Sequence, residues 1–146
     1  MSQPTQVDPR GLRFGAAITS VVVAVALVSP VRVAEVLLVL QTIVFAVSAF
    51  GGLKKSPYGL LFAKVVRPRI GPPKETEDSR PPQFAQFVGF IFLVVALLGF
   101  FSGATAVGYV ATAFALIAAL LNASIGLCLG CELYLAFRRF APAKAV

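Results

Sequence analysis

The chain has 146 residues, of which 58% are hydrophobic and only 13% are charged. Soluble domains are about half apolar and about a quarter charged, so this composition excludes an ordinary water-soluble surface. The net charge of +7 does not indicate a nucleic-acid partner, because the basic residues lie beside long apolar runs. We therefore predict a single membrane domain over residues 1–146, with the lipid bilayer as its solvent.

The lengths of the uncharged stretches predict the membrane spans. A transmembrane helix needs about 20 mostly apolar residues. Three uncharged stretches are long enough to supply spans: residues 14–31, 36–53 and 81–131. Small residues at 103–108 divide the longest stretch into two helices and a turn. The fold class predicted is an all-α, four-transmembrane-helix bundle with spans at about 12–29, 33–51, 84–102 and 106–127. We expect the Ala-rich fourth span to lie at its centre.

The first span has the sequence of a helix start. Asp8 is suited to the N-cap, where its side chain accepts a hydrogen bond from a free backbone N–H. Pro9 suits the first helical position, because its missing N–H is not needed there. We interpret this span as a retained helix and not a signal peptide, since no convincing small-x-small cleavage site follows it.

The distribution of basic residues predicts the orientation, because Lys and Arg near span ends accumulate on the cytoplasmic side. Only Arg32 falls in the short connection between spans one and two, where we expect it to pair with Glu35. All other basic residues lie on the opposite side: Arg10, Arg13, Lys54, Lys55, Lys64, Arg67, Arg69, Lys74, Arg80, Arg138, Arg139 and Lys144. We predict a multi-pass protein of the plasma membrane with both termini in the cytoplasm.

The connection between spans two and three, residues 52–82, is predicted to lie on the cytoplasmic side. Within it, residues 58–66 carry apolar side chains beside Lys64, which is typical of a short helix in the membrane interface. The proline-containing residues 67–73 are expected to end any helix. We interpret the connection as a lipid-anchored linker, and a docking surface for a cytoplasmic protein is the alternative.

Three amide side chains occur within the spans: Gln41, Gln86 and Asn122. Each is predicted to form an interhelical hydrogen bond, which contributes about 0.6–2 kcal/mol in a bilayer. The alternative is that they line the path of a neutral solute. No ionisable side chain occupies the centre of a span, which disfavours proton- or ion-coupled transport.

The chemistry-bearing motif is a C-x-x-C formed by Cys128 and Cys131, the two cysteines of the chain. Positions i and i+3 share a helix face, so the two sulfurs are able to meet. A permanent disulfide is not expected in a reducing cytoplasm, which favours a redox-active pair with Glu132 assisting proton transfer. Two other readings are inert packing at a helix crossing and a Cys₄ metal site shared by two copies. The chain has no His, and we predict no cofactor and no resident metal.

The reactivity of this pair depends on whether span four is continuous. In an unbroken helix the thiols lie near the C-terminal, negative end, where a thiolate is disfavoured. A break at Gly126 would instead begin a new helix near Cys128 and make that sulfur the more reactive one. We favour the continuous or merely bent helix.

Four segments together resemble a bacterial four-span membrane family, catalogued as domain of unknown function 4395. They are residues 7–14 (VDPRGLRF), 56–59 (SPYG) with Arg67-Pro68, 83–86 (QFAQ) and 126–131 (GLCLGC). Members are associated with thioredoxin-like and rhodanese-like sulfurtransferase proteins. The resemblance therefore implies a membrane platform for cytoplasmic thiol or sulfur-transfer chemistry.

Three functions remain open at the level of sequence. The leading hypothesis is a membrane protein that presents a cytoplasmic-edge dithiol to a thioredoxin-like or sulfurtransferase partner. The second is a non-catalytic accessory subunit of a larger membrane complex. The third is a small permease for a neutral or sulfur-containing solute, which would work as a homo-oligomer and predicts a polar cavity near Asn122 and Gln41. An autonomous enzyme is not expected.

Overall fold

The computed structural model describes residues 6–140, which form four long helices, three short helices and one small strand pair. Lys144, which the sequence predicts to lie on the cytoplasmic side, is outside the described residues. The helices are α1 (Pro9–Val28), α2 (Val31–Gly51), α3 (Pro57–Leu61), α4 (Arg67–Ile70), α5 (Arg80–Ser102), α6 (Thr105–Ile125) and α7 (Leu129–Phe140). The strands β1 (Gln6–Val7) and β2 (Glu77–Asp78) pair antiparallel, with Gln6 opposite Asp78.

The four long helices α1, α2, α5 and α6 are each long and apolar enough to cross a membrane. Their limits lie within four residues of the predicted spans. The all-α four-helix class is thus confirmed. The start of α1 also follows the prediction, because the Asp8 side chain accepts a hydrogen bond from the N–H of Arg10 and Pro9 is the first helical residue.

The long helices form a ring in which α1 packs on α2 and α6, and α5 packs on the same two helices. Leu38 of α2 and Leu93 of α5 are fully buried at its core. The prediction that span four is central was wrong, because α2 has the largest share of buried residues and α6 the smallest. A ring of four helices has no central member, and α2 is further covered by contact with α3.

The hairpin between α5 and α6 is tight, as the small residues at 103–108 predict. Gly103 adopts φ +89°, a left-handed conformation that glycine adopts without steric cost. A Cβ on Gly99 would lie only 2.6 Å from the backbone nitrogen of Gly108. These two glycines therefore let the backbones of α5 and α6 approach closely.

The connection between α2 and α5 is more helical than predicted. A short helix begins at Pro57 as expected, and the Ser56 side chain caps it by accepting the N–H of Gly59. Helical structure then continues through a π-helical turn at Phe62–Val66 into α4, which ends at Ile70 with Gly71 as its C-cap. Residues 67–73 end the helix as predicted, but the end comes at Ile70 and not at Pro68. Pro68 lies in the first turn of α4, where its missing N–H is tolerated.

Candidate functional site

The fourth span ends before the two cysteines. Gly126 adopts φ +73° and terminates α6, and the N–H of Leu127 turns back to donate to the carbonyl of Leu121. A separate helix, α7, begins at Leu129. The prediction of a continuous span four was wrong, and the alternative break at Gly126 is the one that forms. Glycine at this place both costs helix stability and adopts the left-handed cap conformation readily.

The end of α6 is capped by a side chain from the first helix. The Arg13 guanidinium donates hydrogen bonds to the carbonyls of Ala123 and Ser124, at 3.1 and 3.0 Å. These carbonyls have no intrahelical partner at a helix C-terminus, and a cation is favoured there by the helix dipole. Arg13 therefore stabilises the break that separates α6 from the cysteine motif.

Cys128 and Cys131 are joined by a disulfide, with their Cα atoms 5.1 Å apart. Cys128 directly precedes α7, and its Sγ accepts a hydrogen bond from the N–H of Cys131 at 3.1 Å. This is the geometry of an N-cap side chain, with sulfur in place of the usual oxygen. The helix start thus directs its free N–H groups, and the positive end of its dipole, toward the Cys128 sulfur.

Glu132 lies in the first turn of α7, and its own N–H donates to the carbonyl of Cys128 at 3.0 Å. Its carboxylate is exposed and forms no hydrogen bond with any of residues 6–140. A proton-transfer role for Glu132 stays a prediction. Among the same residues, no three His, Cys, Asp or Glu side chains cluster as a metal site.

The motif helix is held against α5 by a close backbone crossing. A Cβ added to Gly130 would lie 2.5 Å from the Cα of Ala85. Beyond this point the rings of Tyr134 and Phe137 pack on Phe84, with centroids 5.6 and 6.2 Å apart respectively. The position of the disulfide is therefore fixed by packing against the start of α5.

A cavity of about 550 Å³ opens beside the disulfide, between the long helices and the 52–79 connection. Its walls are mostly apolar, and Cys128 is one of the residues that line it. Near the middle of α5 and α6 the lining includes Phe92, Phe114 and Ala118.

The permease hypothesis predicts a polar cavity near Asn122 and Gln41; Asn122 lines the cavity beside the disulfide, but Gln41 does not and the walls are mostly apolar. The rest of the lining could not be predicted, because its residues come from separate segments of the chain.

The three amide side chains of the spans differ in their contacts in the structure. Gln41 is 1% exposed; its side-chain nitrogen donates to Thr19 Oγ1 at 3.2 Å and its oxygen accepts the Tyr58 hydroxyl at 2.6 Å. The interhelical bond predicted for Gln41 is confirmed. Gln86 and Asn122 instead line the cavity and form no side-chain hydrogen bond within the described part of the chain, so that prediction was wrong for both.

Tyr58 is the residue that sequence reasoning missed. Burial raises the pKa of its hydroxyl, which lies outside the spans in α3 and points to Gln41. The sequence does contain an indication of a helix start at this place, because Ser56 and Pro57 are residues typical of an N-cap and a first helical position. A helix that starts there and packs on α1 brings Tyr58 to the bundle.

An ion-pair cluster surrounds Asp8, the N-cap residue of α1. Its carboxylate binds Arg10 at 2.9 Å and lies 3.9 Å from the Nε of Arg67. Arg10 also donates to the carbonyl of Gly71 at 2.9 Å. The hydrogen bonds from Arg10 hold the pKa of the Asp8 carboxyl below its ordinary value. At the other end of the bundle, Arg32 pairs with Glu35 at 3.3 Å, as predicted.

The fold and the site together define a multi-pass α-helical membrane protein with a cysteine pair at the start of a helix that follows its last span. The sequence profile of a family described as Domain of unknown function (DUF4395) matches residues 7–139. The chain belongs to this family. No curated protein and no solved structure matches it.

Proposed function

We propose that this membrane protein presents the Cys128–Cys131 pair, at the cytoplasmic edge of the bilayer, to a soluble thioredoxin-like or sulfurtransferase partner. The observation that carries the proposal is the position of Cys128 at the N-cap of α7, with its sulfur accepting a backbone N–H. Helix N-termini stabilise thiolates, and reactive cysteine pairs are found in such places.

The chemistry is a thiol–disulfide exchange. A thiolate of the partner attacks Cys131 Sγ, the Cys131–Cys128 bond breaks, and a mixed disulfide forms between the partner and Cys131. Cys128 is the leaving group, because a sulfur that is stabilised as a thiolate leaves more readily. The Cys128 thiolate then takes up a proton. A second thiol of the partner then displaces Cys131. The two partner thiols become a disulfide, and Cys128 and Cys131 become thiols.

The surroundings of the pair support access by a protein partner. Cys128 and Cys131 are both half-buried, so their sulfurs are neither sealed in the core nor fully free in solvent. The helix α7 has exposed apolar side chains at Leu133, Leu135 and Phe137. An apolar surface next to the disulfide provides a place for a partner to contact while its thiolate reaches Cys131.

The test uses the full chain in lipid nanodiscs with a soluble thioredoxin that lacks its second cysteine. We expect the wild-type disulfide to trap this partner as a mixed disulfide on Cys131, identified by peptide mapping, because Cys128 is the leaving group. Cys128→Ser and Cys131→Ser cannot form the disulfide; they are the matched controls and should trap no partner. No trapping by the wild type, or a partner found mainly on Cys128, would contradict the proposal.

A further inference from the structure

We propose that the cavity beside Cys128 binds a membrane quinone, which accepts the two electrons of the reduced cysteine pair. This rests on the proposed function, because it assigns the reaction that returns the reduced pair to the disulfide. The juxtaposition that carries it is a mostly apolar cavity of about 550 Å³ with one cysteine of a disulfide in its wall. That volume is within the ordinary range of small-molecule sites.

The polar groups of the cavity are suited to a quinone ring. Gln86 and Asn122 present side-chain amides that form no hydrogen bond with residues 6–140, and an amide N–H donates to the carbonyl oxygens of a quinone. Both side chains are half-buried and no buried amide atom lacks a partner among residues 6–140, so these two amides are accessible to a ligand that enters the cavity.

The position of these amides matches the position of the disulfide. Gln86 directly follows Ala85, the residue that contacts Gly130 of the motif. The carbonyl of Asn122 accepts the N–H of Gly126, at the break just before Cys128. The ring of the quinone would therefore lie at the level of the cysteine pair.

The deeper part of the cavity is suited to the hydrophobic tail. Phe92, Phe114 and Ala118 line this part near the middle of the long apolar helices α5 and α6, and Phe92 and Phe114 are also exposed toward the hydrocarbon. A ligand with a polar ring and an apolar tail satisfies both parts of the cavity at once. Because quinones dissolve in the bilayer, such a ligand reaches the site from the membrane.

The reaction balances without a further reactant. The S–H bonds of Cys128 and Cys131 break and one S–S bond forms, which releases two electrons and two protons. The quinone takes up both electrons and both protons, and its two carbonyl groups become the hydroxyls of the hydroquinone. Together with exchange at the pair, the net result is oxidation of the partner's two thiols by the quinone.

The test follows the reduced protein in nanodiscs, without oxygen, after addition of decyl-ubiquinone. We expect one ubiquinol per protein, formed as the two thiols disappear. Ala118→Phe narrows the cavity and is expected to slow ubiquinol formation by about tenfold or more, because the added ring occupies space that the quinone needs. Exchange with a soluble dithiol should not change, because that reaction occurs at the disulfide itself.

Two further variants complete the design. Ala113→Phe is the matched control, since Ala113 is on the same helix but does not line the cavity; it should reduce ubiquinone at the wild-type rate. Gln86→Leu keeps the side-chain size but removes the amide, so it should weaken quinone binding. This variant keeps the proposal testable if Ala118→Phe does not fold.

The outcomes separate the two proposals. Wild-type protein that exchanges with a soluble dithiol but forms no ubiquinol would overturn the quinone site and leave the proposed function standing. The quinone site would also fail if Ala118→Phe and Ala113→Phe slowed the reaction equally, or if only phospholipid co-purified in the cavity and decyl-ubiquinone did not displace it. Absence of dithiol exchange would overturn the proposed function itself.

Discussion

Arg13, near the start of the first span, donates a hydrogen bond to the carbonyl of Ser124, near the end of the fourth, at 3.0 Å. The same guanidinium binds the carbonyl of Ala123. One side chain thus satisfies the terminal carbonyls of α6 from a position more than a hundred residues away in sequence. The cysteine motif begins only after this cap, so its geometry depends on a contact between two distant spans.

Replacement of Arg13 by Gln should weaken this cap. We expect a loss of about 1 kcal/mol of stability, the usual net worth of an intramolecular hydrogen bond, because both carbonyls then lose a charged donor. The measurement is the thermal unfolding of the protein in nanodiscs, together with the rate of dithiol exchange. Arg69→Gln is the control, since Arg69 is exposed and forms no hydrogen bond within the described residues. Equal effects of the two substitutions would contradict the capping role.

Gly130 is predicted to be essential for the position of α7. Gly130→Ala places a methyl group 2.5 Å from the Cα and Cβ of Ala85, so α7 must move away from α5. We expect about 1–3 kcal/mol of destabilisation, as for other overpacked sites, and an altered rate of disulfide reduction by dithiothreitol. Gly51→Ala is the matched control, because a Cβ there meets only a Lys55 side chain at 3.4 Å. If Gly130→Ala changed neither the stability nor the rate of disulfide reduction, the crossing between α7 and α5 would not be tight.

The buried contact between Gln41 and Tyr58 is expected to couple the connection to the spans. Gln41→Leu and Tyr58→Phe each remove the bond of 2.6 Å, and each should destabilise the protein by about 1 kcal/mol. A double-mutant cycle should give a coupling energy of about 0.6 kcal/mol or more, since the two groups share one hydrogen bond. Strict additivity of the two substitutions would contradict a direct interaction.

The Asp8 cluster predicts a pH dependence of stability. The pKa of Asp8 is lowered in the folded state, chiefly by its hydrogen bonds with Arg10. Its contribution is therefore present above the ordinary carboxyl pKa and is lost as the pH falls through the lower, folded value. Unfolding of wild-type protein and Asp8→Asn should be compared between neutral and acidic pH. We expect their difference in stability to shrink on acidification, and a constant difference would contradict this.

The orientation of the spans stays a prediction of the sequence and is directly testable. Basic residues flank the ends of the spans on the side of the C-x-x-C motif, which predicts a cytoplasmic location for both termini. Reporter fusions after the last residue should be active only when the reporter works in the cytoplasm. After mild reduction of intact cells, a membrane-impermeant maleimide should leave Cys128 and Cys131 unlabelled, and labelling of either would place the pair outside.

The sequence by itself determined the four spans, the tight turn at Gly103 and the helix start at Asp8 and Pro9. These features depend on local properties, namely the length of apolar runs, the conformational freedom of glycine and the capping preference of neighbouring residues. The sequence also placed the cysteine pair three positions apart, but it did not determine whether the pair follows a continuous helix.

Only the tertiary structure decided the break at Gly126, because a glycine is tolerated in a helix interior at a cost of about 1 kcal/mol and is equally suited to end one. The hydrogen bonds from Arg13 and the contact of Gly130 with Ala85 favour the second outcome, and both come from distant segments. The same holds for the cavity: Gln86 and Asn122 line a space between helices instead of bonding across it, since the packing of whole helices sets the distance between their side chains.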